Sequence, residues 1–216
     1  MNIDEIKYGN PAFINAVHLN QDGIFDGFIE TFTQDSFQPP SNASMKTLNE
    51  LVELTMLKDE IKSQEDFSYY SAIDGDLSNF LLMQIQNCGI KANYDVISKI
   101  AFDLNPTIIK IKMFFQRPRP FQLAYYRQLN LFPHLSVAAN SPSYPSGHAL
   151  QSYFICKLYS YKYKSKKSDL LAIADEVAHS RKVMGLHYQS DNDFGKQIAD
   201  EILQQEDVVK FYLQKI

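Results

Sequence analysis

The sequence lacks a long hydrophobic run. A helix that crosses a membrane needs about 20 apolar residues in succession, and the apolar run at residues 80–83 is far shorter. Residues 1–7 also lack the basic start and apolar core of a secretory signal. We therefore expect a chain without a transmembrane segment that stays in the cytoplasm.

Basic residues and cysteines are also few. The 21 Lys and Arg residues are outnumbered by 25 Asp and Glu, and the formal net charge of -4 argues against binding to nucleic acid. The two cysteines, Cys88 and Cys156, lie in apolar segments and are interpreted as reduced thiols. A single disulfide between them is the alternative interpretation.

Metal-binding patterns are missing as well. No cluster of Cys, His and carboxylate residues has the spacing of a metal site. The segment Asp74-Gly75-Asp76 resembles the start of a calcium loop, but the rest of such a loop is absent, so we interpret it as a turn. We expect neither a metal ion nor another cofactor.

Apolar and polar residues do not alternate as they do in strands. From Asn42 onwards the apolar residues instead recur at steps of three and four, which is typical of helices. The sequence predicts an all-α fold, a single-domain helical bundle. Its predicted helices include 77–88, 94–104, a further one that begins at Asn105 and Pro106, 147–161, 169–184, 191–204 and 208–213.

The chain length of 216 residues fits one domain with a sizeable core. Residues 1–41 are weakly periodic and are interpreted as an N-terminal arm or lid, in which Phe13, Ile14 and Val17 could form a short helix and His18 is a surface residue. Residues 42–216 form the predicted helical domain. The sequence leaves open whether the protein is a homo-oligomer.

Residues 180–191 carry the most suggestive chemistry in the chain. They contain a guanidinium, an imidazole and a carboxylate, on Arg181, His187 and Asp191. Asp191 follows His187 by four residues, so its carboxylate could accept the proton of one ring nitrogen. The other nitrogen would then be available as a nucleophile.

Helix-end signals flank His187 on both sides. Gly185 is predicted to end the preceding helix, because glycine adopts left-handed dihedrals at low cost. Ser190 is predicted to cap the next helix. His187 would then lie at a helix N-terminus, where the helix dipole and free N–H groups favour an anion.

Three cations, Lys112, Arg119 and Arg181, could meet at one phosphate group. Guanidinium groups match phosphate oxygens in pairs, and a lysine acts as a point charge. Ser146 and Gly147, at the start of a predicted helix, would add a hydroxyl and backbone N–H groups.

His148 supplies a second imidazole, so one histidine could act as the nucleophile and the other as the acid–base catalyst. His187 would attack phosphorus, and His148 would protonate the leaving oxygen and later activate water. Arg117, beside the first cationic segment, is interpreted as a surface charge. Tyr144 and Tyr188 are interpreted as pocket walls or core residues.

These three segments together resemble the signature of the type 2 phosphatidic acid phosphatase / vanadium haloperoxidase superfamily. Residues 112–120, 145–148 and 180–191 match its Lys-x6-Arg-Pro, Pro-Ser-Gly-His and Ser-Arg-x5-His-x3-Asp motifs at every defined position. Arg-Pro-Phe at 119–121 and Gly-Leu-His-Tyr-Gln-Ser-Asp at 185–191 look most like the soluble bacterial class A acid phosphatases. Ala149 departs from the threonine usual there.

The resemblance implies an all-α, metal-independent phosphatase that forms a phosphohistidine and acts on a small phosphorylated substrate. It assigns catalysis to His187, His148 and Asp191. It assigns phosphate binding to Lys112, Arg119, Ser146, Gly147 and Arg181.

Two alternatives stay open. One is a vanadate-dependent haloperoxidase, with vanadate as the cofactor bonded to His187. The other is a non-catalytic relative that binds phosphate or a phospholipid. Phe121, Tyr125 and Tyr126 could line the mouth of the site but specify no substrate. If the protein is a phosphatase, we expect vanadate to inhibit it.

Overall fold

The computed structural model describes residues 2–9 and 22–216, and it contains no strand within these two ranges. The all-α prediction is therefore confirmed. None of the helices in the described ranges is long and apolar enough to cross a membrane. A single-turn α-helix, Ile29–Phe32, and several 3-10 turns are left unnumbered. The longer α-helices, in chain order, are α1 Met45–Leu57, α2 Gln64–Gly75, α3 Leu77–Asn87, α4 Tyr94–Phe115, α5 Pro120–Tyr126, α6 Gly147–Lys162, α7 Lys167–Val183, α8 Gln189–Ile202 and α9 Glu206–Leu213.

Helix α6 is the centre of the fold. Every side chain from residue 149 to residue 156 is buried, so this part of the helix has no face in contact with water. Helices α7 and α8 pack along it most extensively, and α4 and α9 also contact it. Cys156 is buried in this helix, and both cysteines are free thiols. The start of α6, which carries His148, is consequently fixed by its neighbours.

The connection between α7 and α8 is tightly held. Gly185 has a φ of 70°, as predicted for the residue that ends α7, and the Leu186 N–H donates to the Arg181 carbonyl at 3.0 Å. The prediction of Ser190 as the cap of α8 is wrong, because the cap is Tyr188. The carboxylate of Asp191 reaches back and accepts the Tyr188 N–H at 3.0 Å.

The predicted helix boundary at Pro106 is also wrong, because α4 continues through it. The proline lacks an N–H group, and a side chain from α6 binds the turn of α4 beside it. The Gln151 amide donates to the Ala101 carbonyl at 2.9 Å and to the Asn105 side chain at 2.8 Å. This support keeps Lys112 on the same rigid helix as the core residues.

The described part of the N-terminal segment contributes to the core. Phe25 and Phe32 are fully buried, and their rings contact those of Phe154 and Phe194 at centroid distances of 5.8 Å and 6.3 Å. The assignment of residues 1–41 as an arm or lid, with the boundary at residue 42, stays a prediction. Phe13, Ile14, Val17 and His18 lie outside the described residues.

A close approach between α8 and the start of α6 joins two of the sequence motifs. A Cβ atom on Gly195 would lie 2.7 Å from the Ser146 carbonyl oxygen and 3.0 Å from the Leu150 nitrogen. The Ser146 N–H donates to the backbone carbonyl of Asp191 at 2.9 Å. The absence of a side chain at Gly195 thus lets residues 146–148 lie beside residues 187–191.

We expect Gly195→Ala to destabilise the protein by about 1–3 kcal/mol, because the new methyl group must push two packed backbones apart. Urea unfolding of the wild type and the variant would measure the difference. Gly27→Ala is the matched control, since a Cβ there meets nothing within 4 Å. Equal unfolding midpoints for Gly195→Ala and the wild type would contradict the proposed close contact.

Candidate active site

A cavity of about 270 Å³ lies between α4, the start of α6 and the connection from α7 to α8. Most of the residues singled out in the sequence lie on its wall, although they come from distant parts of the chain. These wall residues are Lys112, Arg119, Gly147, His148, Arg181 and His187. Asp191 lies directly behind His187.

The contacts of His187 determine which nitrogen carries its proton. Nε2 lies 2.8 Å from Nη1 of Arg119, and Nδ1 lies 3.0 Å from Oδ2 of Asp191. A guanidinium can only donate, so Nε2 accepts and Nδ1 bears the proton. Burial, and then the charge of Arg119, hold the pKa of His187 well below its usual value. The side chain is a neutral imidazole on the cavity wall, and its Nε2 lone pair accepts from Arg119.

Asp191 keeps its charge in spite of being fully buried. Burial by itself would raise the pKa of its carboxyl, but the charge of Arg117 and the hydrogen bonds from His187 and the Tyr188 N–H lower it below the ordinary value. Oδ1 accepts from Arg117 at 2.6 Å. An ionised Asp191 can therefore stabilise positive charge that develops on His187.

The interpretation of Arg117 as a surface charge is wrong, since its side chain is only 2% exposed. Its guanidinium donates to Asp191 and to the Ser190 hydroxyl at 2.8 Å, and it lies 3.4 Å from Glu50. It also stacks on the ring of Tyr188, 3.9 Å from the ring centroid. The proline that follows Arg117 disfavours the helical conformation at Arg117. The residues that contact the Arg117 side chain could not be predicted from its neighbours in the sequence.

Glu50, on α1, completes this buried network. Its carboxylate accepts the Ser190 N–H at 2.7 Å and the Ser190 hydroxyl at 3.0 Å. The result is an alternating row of charges, Glu50, Arg117 and Asp191, that ends at His187. Each charge in the row has an opposite neighbour, as burial requires. The row fixes the orientation of the imidazole from behind.

Lys112 and Arg119 are both held by carbonyl groups of the loop before α6. The Lys112 ammonium donates to Pro142 at 2.6 Å, and Nε of Arg119 donates to Ser141 at 2.8 Å. Burial lowers the pKa of Arg119 to about 10. Burial and the charge of Arg119 hold the pKa of Lys112 well below its usual range. An anion in the cavity would relieve both effects.

Arg181 is positioned by the carboxylate of Asp74, a residue interpreted from the sequence as part of a turn. Its Nη2 donates to Asp74 at 2.7 Å, and Asp74 also accepts the Ser136 hydroxyl at 2.6 Å and the Val137 N–H at 2.8 Å. Asp74 is buried at the end of α2. The buried Nε of Arg181 has no hydrogen-bond partner in the described part of the chain. Arg181 also lines the cavity, so its positive charge lies beside any ligand bound there.

His148 lies in the first turn of α6, behind the cap residue Ser146. It hydrogen-bonds to the Ile73 carbonyl, and its buried Nε2 has no protein partner within the described ranges. Burial and the charge of Arg181 hold the pKa of His148 well below its usual value, although Asp74 opposes this. A bound phosphate would add negative charge and raise that pKa, which favours the protonated form.

Ser146 and Gly147 occupy different positions relative to the cavity. The Ser146 hydroxyl accepts the Ala149 N–H at 3.3 Å and so caps α6. Ser146 is buried and is not part of the cavity wall, whereas Gly147 is. A phosphate contact by the Ser146 hydroxyl stays a prediction. Among residues 2–9 and 22–216, no group of three or more His, Cys, Asp or Glu residues could hold a metal ion.

Comparison with protein families identifies a domain within these elements. Residues 96–199 match the model of the PAP2 superfamily, a range that includes the three cations, both histidines and Asp191. Members of this superfamily are generally phosphatases or phosphoryl-transfer proteins. The predicted superfamily resemblance is confirmed for this range. The narrower likeness to class A acid phosphatases stays a prediction. A comparison with curated proteins found none that matches the chain.

Proposed function

We propose that the protein is a metal-independent phosphomonoesterase that forms a phosphohistidine on His187. The observation that supports this most directly is the fixed tautomer of His187. Its unprotonated Nε2 accepts from Arg119, and His187 lies on the wall of a cavity that Lys112, Arg119 and Arg181 also line. A neutral nucleophile beside three cations fits an anionic electrophile such as a phosphate ester.

In the first step, Nε2 of His187 attacks phosphorus and the bond to the ester oxygen breaks. A protonated His148 donates its proton to that oxygen, so the product leaves as an alcohol. Asp191 stabilises the positive charge on the phosphorylated imidazole. Arg119 transfers its Nη1 hydrogen bond from Nε2 to a phosphate oxygen as the ester binds.

In the second step, His148 removes a proton from water, and the hydroxide oxygen attacks phosphorus. The nitrogen–phosphorus bond breaks, inorganic phosphate forms and His187 regains its lone pair. Lys112, Arg119 and Arg181 stabilise charge on the equatorial oxygens in both steps. Since these cations are already held by carbonyl groups and Asp74, they need little reorganisation.

Three parallel assays on the purified full chain would test the proposed function. We expect phosphate release from p-nitrophenyl phosphate, and we expect it to persist in EDTA because the cations would repel a divalent metal. Halide oxidation with vanadate and peroxide, without phosphate release, would favour the haloperoxidase alternative. Phosphate binding with neither activity would favour a non-catalytic module.

We expect His148→Ala to affect poor leaving groups most. For an alkyl phosphate, kcat/KM should fall about 100-fold, as expected for the loss of a general acid. For p-nitrophenyl phosphate the loss should stay below about tenfold, because p-nitrophenolate scarcely needs a proton. The ratio kcat/KM reports formation of the phosphohistidine and is insensitive to the later attack by water. Equal losses for both esters would contradict the acid role.

A further inference from the structure

A second cavity, of about 460 Å³, adjoins the first and shares part of its wall. Asn105, His148 and Gln151 line both cavities. The Nε2 atom of His148 is buried and has no protein partner among the described residues. His148 therefore lies where the two cavities meet, so an ester whose leaving oxygen lies beside this residue can extend from one cavity into the other.

If the proposed function holds, the geometry of the attack on phosphorus determines which part of the substrate enters the second cavity. In-line displacement places the leaving oxygen opposite His187 and next to its proton donor. Because that donor is His148, the alcohol part of the ester extends past His148. The second cavity is therefore the place where the leaving group is recognised.

Asp76 gives this second cavity a negative wall. One of its oxygens accepts the Asn79 N–H at 3.0 Å, as the cap of α3, and the other accepts the Tyr94 hydroxyl at 3.3 Å. Asp76 is exposed and forms no ion pair with the residues that the structure describes, whereas the other carboxylate of the wall, on Asp74, is paired with Arg181. The net field of the cavity wall is thus negative.

An aromatic ring lies next to this carboxylate. Tyr94 lines the cavity and is 41% exposed, so the face of its ring can contact a ligand. Ring faces attract ammonium groups, and a neighbouring carboxylate adds to that attraction. Phe102 also lines the cavity, but the Lys99 ammonium already lies 5.8 Å from its ring centroid. Asp76 and Tyr94 are therefore the residues that would contact an ammonium group in this cavity.

The two cavities consequently carry opposite charge. The first is lined by Lys112, Arg119 and Arg181, and the second by Asp76 and an aromatic ring. A substrate with a phosphate at one end and an ammonium at the other matches this arrangement, whereas a second anionic group would be repelled by Asp76. We propose that the second cavity is a leaving-group subsite for phosphate esters of amino alcohols.

The probe for this subsite is phosphocholine, compared with its carbon isostere, in which a tert-butyl group replaces the trimethylammonium group. The two esters have the same shape, and the intrinsic difference between their leaving groups is the same in every variant, so the change in their ratio of kcat/KM on removal of the Asp76 charge isolates the contact with that charge. We expect this charge to raise the preference for phosphocholine about fivefold at low salt, since an exposed ionic contact contributes up to about 1 kcal/mol. The preference should shrink as salt is added.

Asp76→Asn removes the charge and keeps a residue that caps helices equally well. In this variant the ratio between the two esters should fall about fivefold below the wild-type ratio. Asp207→Asn, in the first turn of α9 and outside the cavity, is the matched control and should keep the wild-type ratio. An unchanged ratio in Asp76→Asn would overturn the subsite. Failure to hydrolyse any phosphate ester would instead overturn the proposed function.

Discussion

Replacement of His187 by alanine is expected to lower the turnover of p-nitrophenyl phosphate by about a thousandfold or more. The reason is that Nε2 of His187 is the atom proposed to bond to phosphorus, so the first step cannot proceed without it. The decisive measurement is rapid mixing with phosphorus-labelled substrate, followed by a quench in alkaline detergent, in which phosphohistidine persists. The wild type should carry label, and His187→Ala should carry none.

The variant should remain folded, which separates loss of chemistry from loss of structure. Asp191 loses one hydrogen bond in His187→Ala but keeps the ion pair with Arg117, so no buried charge is left without a partner. Unfolding in urea and the far-ultraviolet circular dichroism spectrum would check this. His179→Ala, which alters a partly exposed histidine paired with Glu60, is the matched control and should keep full activity. Equal labelling of His187→Ala and the wild type would remove His187 from the nucleophile's role.

The parts of the site that the sequence predicted are those that depend on short spacing. Asp191 follows His187 by four residues, and the turn between helices holds this pair in contact. Gly185 ends α7 because its left-handed conformation is costly for other residues. Apolar steps of three and four residues predicted the helices, because each helix must bury one face. The match of three separate motifs then indicated which cations should meet in space.

The parts that the sequence could not show depend on distant pairing. Glu50 and Arg117 are 67 positions apart, and Asp74 and Arg181 are 107 positions apart. Nothing in the neighbourhood of Arg117 indicates that α1 will cover it with a carboxylate. Likewise, the Gln151 side chain that binds α4 beside Pro106 belongs to another helix. Such contacts exist only after the helices have packed.

Arg117→Gln is expected to weaken both the fold and the reaction, although Arg117 does not line the cavity. At neutral pH it should destabilise the protein by about 3–5 kcal/mol, because Asp191 and Glu50 would remain buried without their cation. It should also lower kcat/KM for p-nitrophenyl phosphate about 100-fold, because Asp191 would no longer orient and stabilise the imidazole. Arg127→Gln is the matched control, because this partly buried arginine donates to the Asn42 carbonyl and forms no ion pair with the residues that the structure describes.

The dependence of this loss on pH distinguishes electrostatic support from simple packing. In the wild type the pKa of Asp191 lies below its ordinary value, so the ion pair stabilises the fold at neutral pH, and that contribution disappears only as the pH falls through the folded-state pKa. Without Arg117, burial is less opposed and the pKa of Asp191 should rise. The ionised carboxylate would then destabilise the variant at neutral pH, and the variant would regain relative stability as the carboxyl becomes protonated.

Urea unfolding of both proteins between neutral and mildly acidic pH would measure this effect. The difference in unfolding free energy should be largest at neutral pH and should shrink as the pH falls. The acid limb of kcat/KM should also move to higher pH in Arg117→Gln, because protonated Asp191 cannot stabilise positive charge on His187. A merely structural role would lower stability by the same amount at every pH and leave the acid limb in place. That result would show that Arg117 fills space behind Asp191 without setting its charge.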